Sequence, residues 1–215
     1  MTQYALTQQK ESHMKMYAIC VSILLISLST AFAQSNGQPD QQASDWQHQF
    51  RLSSTTFTNG SQLPLSMVLG PTHCIYVSGG SDESPALSWK HAPFGTQSFV
   101  VTMYDVTAGF THWGMYNISP QTTKLLENAG VAGSTYGGQV FNDFGFGAEY
   151  DGPCPPNDYT PYVHDYVVTV YALDTCLNLA SSPPNWPADA ETLYRAMFDH
   201  VLASASIHGY FSSVD

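Results

Sequence analysis

From Phe50 onward, apolar residues recur in short runs broken by turn residues, not at helical spacing. Phe50–Phe57 is followed by Thr58-Asn59-Gly60-Ser61, Leu63–Leu69 by Gly70-Pro71, and Cys74–Val77 by Ser78-Gly79-Gly80. Ala86–Trp89, Ser98–Tyr104 and His112–Ile118 continue the series. Asp165–Leu173 (DYVVTVYAL) is the strongest strand signal, β-branched and aromatic throughout. Short strands punctuated by Gly and Pro predict a mostly β domain, a sandwich or barrel. One segment has a helical period. Leu193, Met197, Val201 and Ala205 recur at i+4, so a helix packed on the sheet is expected from about Pro187 to about Ala205. Ile207–Phe211 is expected as a last short strand.

The start of the chain follows another pattern. Lys10 and Lys15 precede an apolar run, Met16–Leu28, that ends in Ser29-Thr30-Ala31-Phe32-Ala33. This is the three-part form of a secretory signal peptide with cleavage after Ala33. The run is short for a membrane span. The charged stretch before it is long, so Met14 or Met16 would also serve as a start. An uncleaved anchor helix is the competing reading. The expected organisation is a signal peptide over 1–33, a Gln/Ser/Asp-rich lead-in over 34–48 and one domain over 49–215. That makes the protein secreted or periplasmic, with no stable membrane insertion after cleavage.

Composition narrows the partners. The 215 residues carry 6 Lys+Arg against 17 Asp+Glu, a net charge of −11. Beyond Ala33 the fixed positive charges are Arg51, Lys90, Lys124 and Arg195. Nucleic acid is excluded, because its phosphates require clustered basic side chains. An anionic membrane surface is disfavoured for the same reason. Cys20 falls in the signal segment, and Cys74, Cys154 and Cys176 remain. One disulfide plus one leftover thiol is the simplest arrangement, with the pairing open. Neither the cysteines nor the histidines have zinc-ligand spacing, so no metal is expected.

Two stretches carry candidate chemistry. In Ser98–Ile118 a strand ends at Asp105, and a Gly-containing loop returns to His112-Trp113, which can bring Asp105 and His112 to one rim. Tyr150–Pro156 (YDGPCPP) is a stiff loop with few backbone donors, and His164-Asp165-Tyr166 follows it. Two imidazoles, a carboxylate and a rigid wall suit a small polar pocket. Charged imidazoles donate to a phosphate-like anion. Asp105 would repel that anion, but it can orient an imidazole or pair with an ammonium beside the phosphate. Neither stretch holds Lys or Arg. The site should therefore be weak, and tighter below about pH 6.5.

SPALSW (Ser84–Trp89), the strand ending in Asp105, His112-Trp113, GPCPP (Gly152–Pro156) and His164-x-Tyr166 occur in a telling order. From about Phe57 to the C-terminus the chain resembles the phosphatidylethanolamine-binding protein family, in particular its bacterial Raf kinase inhibitor-like branch. The resemblance implies an antiparallel β-sandwich with one or two peripheral C-terminal helices. It implies a pocket for phosphate, phosphorylethanolamine-like or acetate-like groups, with no cofactor. By position it implies Asp105 as the pocket carboxylate, His112 and His164 as its imidazoles and Phe110 as a rim aromatic. Gly152, Cys154, Pro155 and Pro156 would be the wall, Tyr166 a hydroxyl donor and Tyr150 the first residue of the wall loop or a packing residue. Three features depart from the family pattern. Asp105-Val106-Thr107-Ala108-Gly109 replaces a proline-containing Asp-Pro-Asp-Ala-Pro, Asp165 replaces an arginine, and the loop Asn157–Val163 is longer.

Three function classes follow. The first is a non-catalytic binding protein for a small anion or phosphorylated amine. The second is an inhibitor or interaction module for a protease or kinase-like partner, with a second copy of the chain also a candidate partner. The third is a hydrolase using Cys154 or a serine with His112. A Gly-x-Ser-x-Gly elbow, paired glycosidase carboxylates and a Gly-rich phosphate loop are all missing, which weighs against catalysis. The abundance of Tyr and Trp would also suit a sugar-binding platform, although core packing accounts for it equally well.

Overall fold

Side-chain alternation along four long strands organises the domain. The computed structural model describes residues 49–158, 160–179 and 187–214. The expected signal peptide, its cleavage site, the lead-in and Cys20 lie outside these residues. Strands β1 (Arg51–Ser54), β3 (Leu87–Lys90) and β6 (Lys124–Leu125) form one sheet in the order β1-β3-β6. Strands β2 (Ser61–Gln62), β4 (Ser98–Asp105), β5 (Phe110–Ile118), β7 (Gly138–Gln139), β8 (Val163–Leu173) and β9 (Val201–Ser212) form the other, in the order β2-β9-β8-β4-β5-β7. The main core includes Leu87 and Trp89 from the small sheet and Phe99, Val101, Trp113 and Val168 from the large one. Among the described residues no helix is long and apolar enough to cross a membrane.

The mostly β sandwich is as expected, but the sheets are not all antiparallel. β2 runs parallel to β9. Parallel neighbours need a long crossover, and here the body of the domain between residues 62 and 201 supplies it.

The helical expectation needs a larger correction. Helix α1 covers Ala190–Met197 only. The Asp189 carboxylate caps it by accepting from the Thr192 N–H at 2.8 Å, and Leu193 and Met197 face inward. A 3-10 turn over Phe198–His200 follows, and β9 begins at Val201. Ala205 satisfies a period of four from Met197, but it also satisfies the period of two set by Ala203 and Ile207. Pairing along the whole length of β8 settles the competition in favour of the strand. The expected strand Ile207–Phe211 is the last part of β9.

Two other expected strands are irregular segments. Leu63–Leu69 is broken by Pro64 and holds a 3-10 turn over Leu65–Met67, while Met67, Val68 and Leu69 are fully buried. Cys74–Val77 carries an exposed Ile75 and is tied down by the Cys74–Cys154 disulfide, with 5.8 Å between the Cα atoms. No cysteine among the described residues is free, so the expected leftover thiol is absent.

Candidate ligand-binding site

Strand register brings the predicted polar residues together. Asp105, the last residue of β4, lies opposite Tyr166 on β8 and Phe110 on β5. His164 lies two residues before Tyr166 and so shares its face. His112 reaches the same face by a different route. The β4–β5 register shifts between Met103–Trp113 and Tyr104–Thr111, which makes His112 an extra, bulged residue. His112 and Trp113 are therefore turned to one side in succession. Trp113 enters the main core, and the His112 ring sits 5.3 Å from that of Tyr166.

The cluster is buried, and most of its polar atoms are committed. The His164 Nδ1–H donates to Asp105 Oδ2 at 2.7 Å. Asp105 Oδ1 accepts from the N–H groups of Thr107 and Ala108, both at 2.9 Å, and the Tyr166 hydroxyl also faces this carboxylate. The Asp105–Gly109 turn thus closes without proline. Gly109 takes a φ of 70° that favours glycine, and its N–H donates to the Asp105 carbonyl. The His112 Nδ1–H donates to the Asp151 carbonyl at 2.7 Å, because a carbonyl can only accept. Burial holds the His112 imidazole below the usual histidine range, although the Asp151 carbonyl and Asp105 favour the charged ring. Burial likewise pushes the Tyr166 hydroxyl well above its ordinary value, and Asp105 adds to the shift.

The wall loop is laced to its surroundings. Gly152 donates its N–H to Asp82 Oδ1 at 2.7 Å, and any Cβ there would overlap the Met67 carbonyl. Pro153 accepts from the Leu69 N–H, and Cys154 is bonded to Cys74. Pro155 accepts from the Ser213 hydroxyl. Asp151 Oδ2 accepts from Asn142 Nδ2 at 2.5 Å. Burial raises the Asp82 carboxyl to about 6, opposed by the Gly152 N–H and helped by Asp151 and Glu149, and burial raises Asp151 as well.

A run of rings leads outward from the cluster. Phe110 lies 5.1 Å from His112 and 4.7 Å from Phe144. Phe144 stacks on Phe146 at 5.4 Å, and Phe146 stacks on His73 at 4.5 Å.

Of the residues singled out from the sequence, Asp105, Phe110, His112, His164 and Tyr166 come together. Gly152, Cys154, Pro155 and Pro156 belong to the adjoining loop. Tyr150 is turned the other way, into the core, where its ring meets Trp113 at 5.8 Å and its hydroxyl donates to the Met67 carbonyl. Cys154 is half of a disulfide, which removes the thiolate that a Cys154-based hydrolase would need. Asp165 points away from the cluster and accepts from His208 Nδ1 at 3.0 Å on the opposite side of the sheet. Sequence reasoning missed Asp82, Asn142, Phe144, Phe146 and His73. The alternation of Phe and Gly in Asn142–Gly147 was the available signal for the rim.

The chain is 35% identical over 162 residues to a UPF0098 protein of Aquifex aeolicus, covering 74% of this chain and 85% of that one. It is 37% identical over 134 residues to the UPF0098 protein YbcL of Escherichia coli, covering 59% of this chain and 69% of that one. The crystal structure of E. coli YbcL, described as a new member of the mammalian PEBP family, superposes with a TM-score of 0.63 and 30% identity, over 76% of this chain and 98% of that one. A sequence profile described as phosphatidylethanolamine-binding protein matches residues 53–212. With most of the chain matched and the Asp105–His112–His164–Tyr166 cluster assembled at one end of the large sheet, the chain belongs to the phosphatidylethanolamine-binding protein family.

Proposed function

We propose that this protein recognises, without turnover, a small ligand bearing a phosphate-like group, with or without an adjacent ammonium. The observation that carries the reading is the convergence of His112, His164, Asp105 and Tyr166 in one buried cluster beside a braced wall. The proton positions define what the site favours. His112 gives its Nδ1–H to a carbonyl and burial favours its neutral form, so Nε2 is left as an acceptor. That nitrogen suits a P–OH group or an ammonium N–H. A fully ionised anion can use it only if the ring takes up a proton. His164 presents its Nε2 as well, because Nδ1 is given to Asp105. Asp105 already accepts from three donors and serves as the positioning group for His164. A secreted or periplasmic setting is part of the proposal, and the Cys74–Cys154 disulfide supports it, since such bonds persist in oxidising compartments.

The test is an NMR titration of the histidine rings with inorganic phosphate and phosphorylethanolamine, at about pH 5.5 and about pH 8. Shifts at His112 and His164 are expected with both ligands, with tighter binding at the lower pH. Binding should be lost in His112→Ala and kept in His200→Ala. No shift at either ring at millimolar ligand sinks the reading.

A further inference from the structure

A cleft of about 690 Å³ opens on the face of the large sheet opposite the histidine cluster. Its floor and walls include Thr102, Tyr104, Thr111, Thr169, Tyr171 and Tyr194. These residues alternate along β4, β5 and β8 with the core and pocket residues, and Tyr194 overhangs them from α1. Its volume falls within the range of about 300–1,000 Å³ typical of ligand sites. We propose that this cleft binds a short neutral oligosaccharide.

The chemistry of the lining selects that class. Tyr104, Tyr171 and Tyr194 are half-buried, and among the described residues no other aromatic ring stacks on them. Their faces are apolar and their rims carry hydroxyls. A pyranose has the same split, with C–H faces and a hydroxyl edge that both donates and accepts. The Tyr194 side chain lines the cleft beside Thr102 and Thr111. Thr169 is paired with Ser206 at 2.8 Å, which extends the hydroxyl floor toward β9. Val106, Val167 and Ala190 also line the cleft, and Thr102, Thr111 and Thr169 are buried, so a ligand meets the tyrosine rings and hydroxyls with apolar side chains between them. A polyanion is disfavoured because Asp143 and Glu191 stand at the rim and Arg195 is already paired with Glu191 at 2.6 Å. Asp143 Oδ2 accepts from the Thr111 N–H at 2.6 Å, and its other oxygen is an acceptor for sugar hydroxyls.

The experiment is an NMR titration of aromatic side-chain signals with maltotetraose, cellotetraose and chitotetraose as probes, at millimolar sugar. At least one sugar should shift Tyr104, Tyr171 and Tyr194 together. Tyr104→Ala and Tyr171→Ala should each weaken that binding about tenfold, and Tyr104→Phe and Tyr171→Phe less, because the face remains. Thermal melts of the Ala and Phe variants check that the fold is kept. Absence of shifts with all three sugars overturns the proposal. So do shifts that survive both Ala substitutions, or a chain dimer in solution that buries these tyrosines.

Discussion

The two faces of the large sheet are built by the same strands one residue apart, yet they handle polarity in opposite ways. On one face, Phe99, Val101 and Met103 lead to Asp105, and Ala172, Val170 and Val168 lead to Tyr166 and His164. That face is covered by the small sheet and the wall loop, and its carboxylate and one nitrogen of each imidazole are satisfied inside the protein. On the other face, Val100 gives way to Thr102 and Tyr104, and Leu173 to Tyr171 and Thr169. There Val100, Val140, Leu173 and Leu193 form a smaller core under α1, and beside it, among the described residues, the cleft opens. Cover, more than strand propensity, decides how many polar atoms must find protein partners.

The largest expected effect breaks that asymmetry directly. Trp113 is fully buried, and its Nε1–H donates to Gln139 Oε1 at 2.7 Å. Trp113→Ala should cost about 3–5 kcal/mol, since it leaves both a cavity and an unpaired acceptor. Tyr171→Ala, on the open face, should cost about 1 kcal/mol. Denaturant unfolding of the two variants measures the contrast, and equal costs would show that the faces are equivalent in packing.

Next in size is the Cys74–Cys154 bridge, which closes a separation of 80 residues against the covered face. Cys74→Ser with Cys154→Ser should lower stability by about 2–4 kcal/mol. NMR shift changes should gather at His112, Phe146 and the wall loop, and Tyr194 should stay put. Equal perturbation of both faces would show that the bridge supports the whole sandwich rather than one side.

What was legible in the sequence follows the same division. Asp105, His112, His164 and Tyr166 were readable because turn chemistry and strand alternation are local rules. Their convergence depends on a bulge at His112, which no local pattern announces. β9 was misread because alanine and serine carry little periodic contrast, and pairing with β8 supplied the missing information. Asp82 was invisible because it meets Gly152 across a separation of 70 residues. The open-face tyrosines were visible as composition and acquired meaning only once the strands placed them in one cleft.

Asp82 offers a finer test on the covered side. Its carboxyl titrates near 6 in the native protein against 3.8 when unperturbed. Between those values the native state holds a proton that the unfolded chain has released. Stability from this group therefore falls as pH rises through the window and stays low above it. His112 works in the opposite direction. Its native pKa is depressed, so acid below about 6.5 charges the unfolded chain first and lowers stability. Asp82→Asn keeps an acceptor for the Gly152 N–H and tolerates the local φ of 58°. Its advantage over the parent should grow from about pH 4 to 6 and then level off, at about 1–2 kcal/mol after allowance for solvent screening. Unfolding curves across that range check it, and an advantage that shrinks with pH would refute the sign.

The smallest expected effect is the most direct probe of the separation between faces. Asp165 lies in sequence between two cluster residues, yet its carboxylate meets His208 on the other side, and both partners are half-exposed. Such a pair contributes at most about 0.5 kcal/mol, so Asp165→Asn should leave stability nearly unchanged. Its charge still reaches the pocket through the sheet. At about 10 Å and near-water screening, that repulsion amounts to about 0.4 kcal/mol. Asp165→Asn should therefore tighten phosphate binding, by about twofold at low salt, and the gain should vanish as added salt shortens the screening length. Phosphate titrations of the variant at low and high ionic strength measure this. A tenfold change in either direction, or a gain that survives salt, would mean that Asp165 touches the ligand and that the sheet does not divide the two sites.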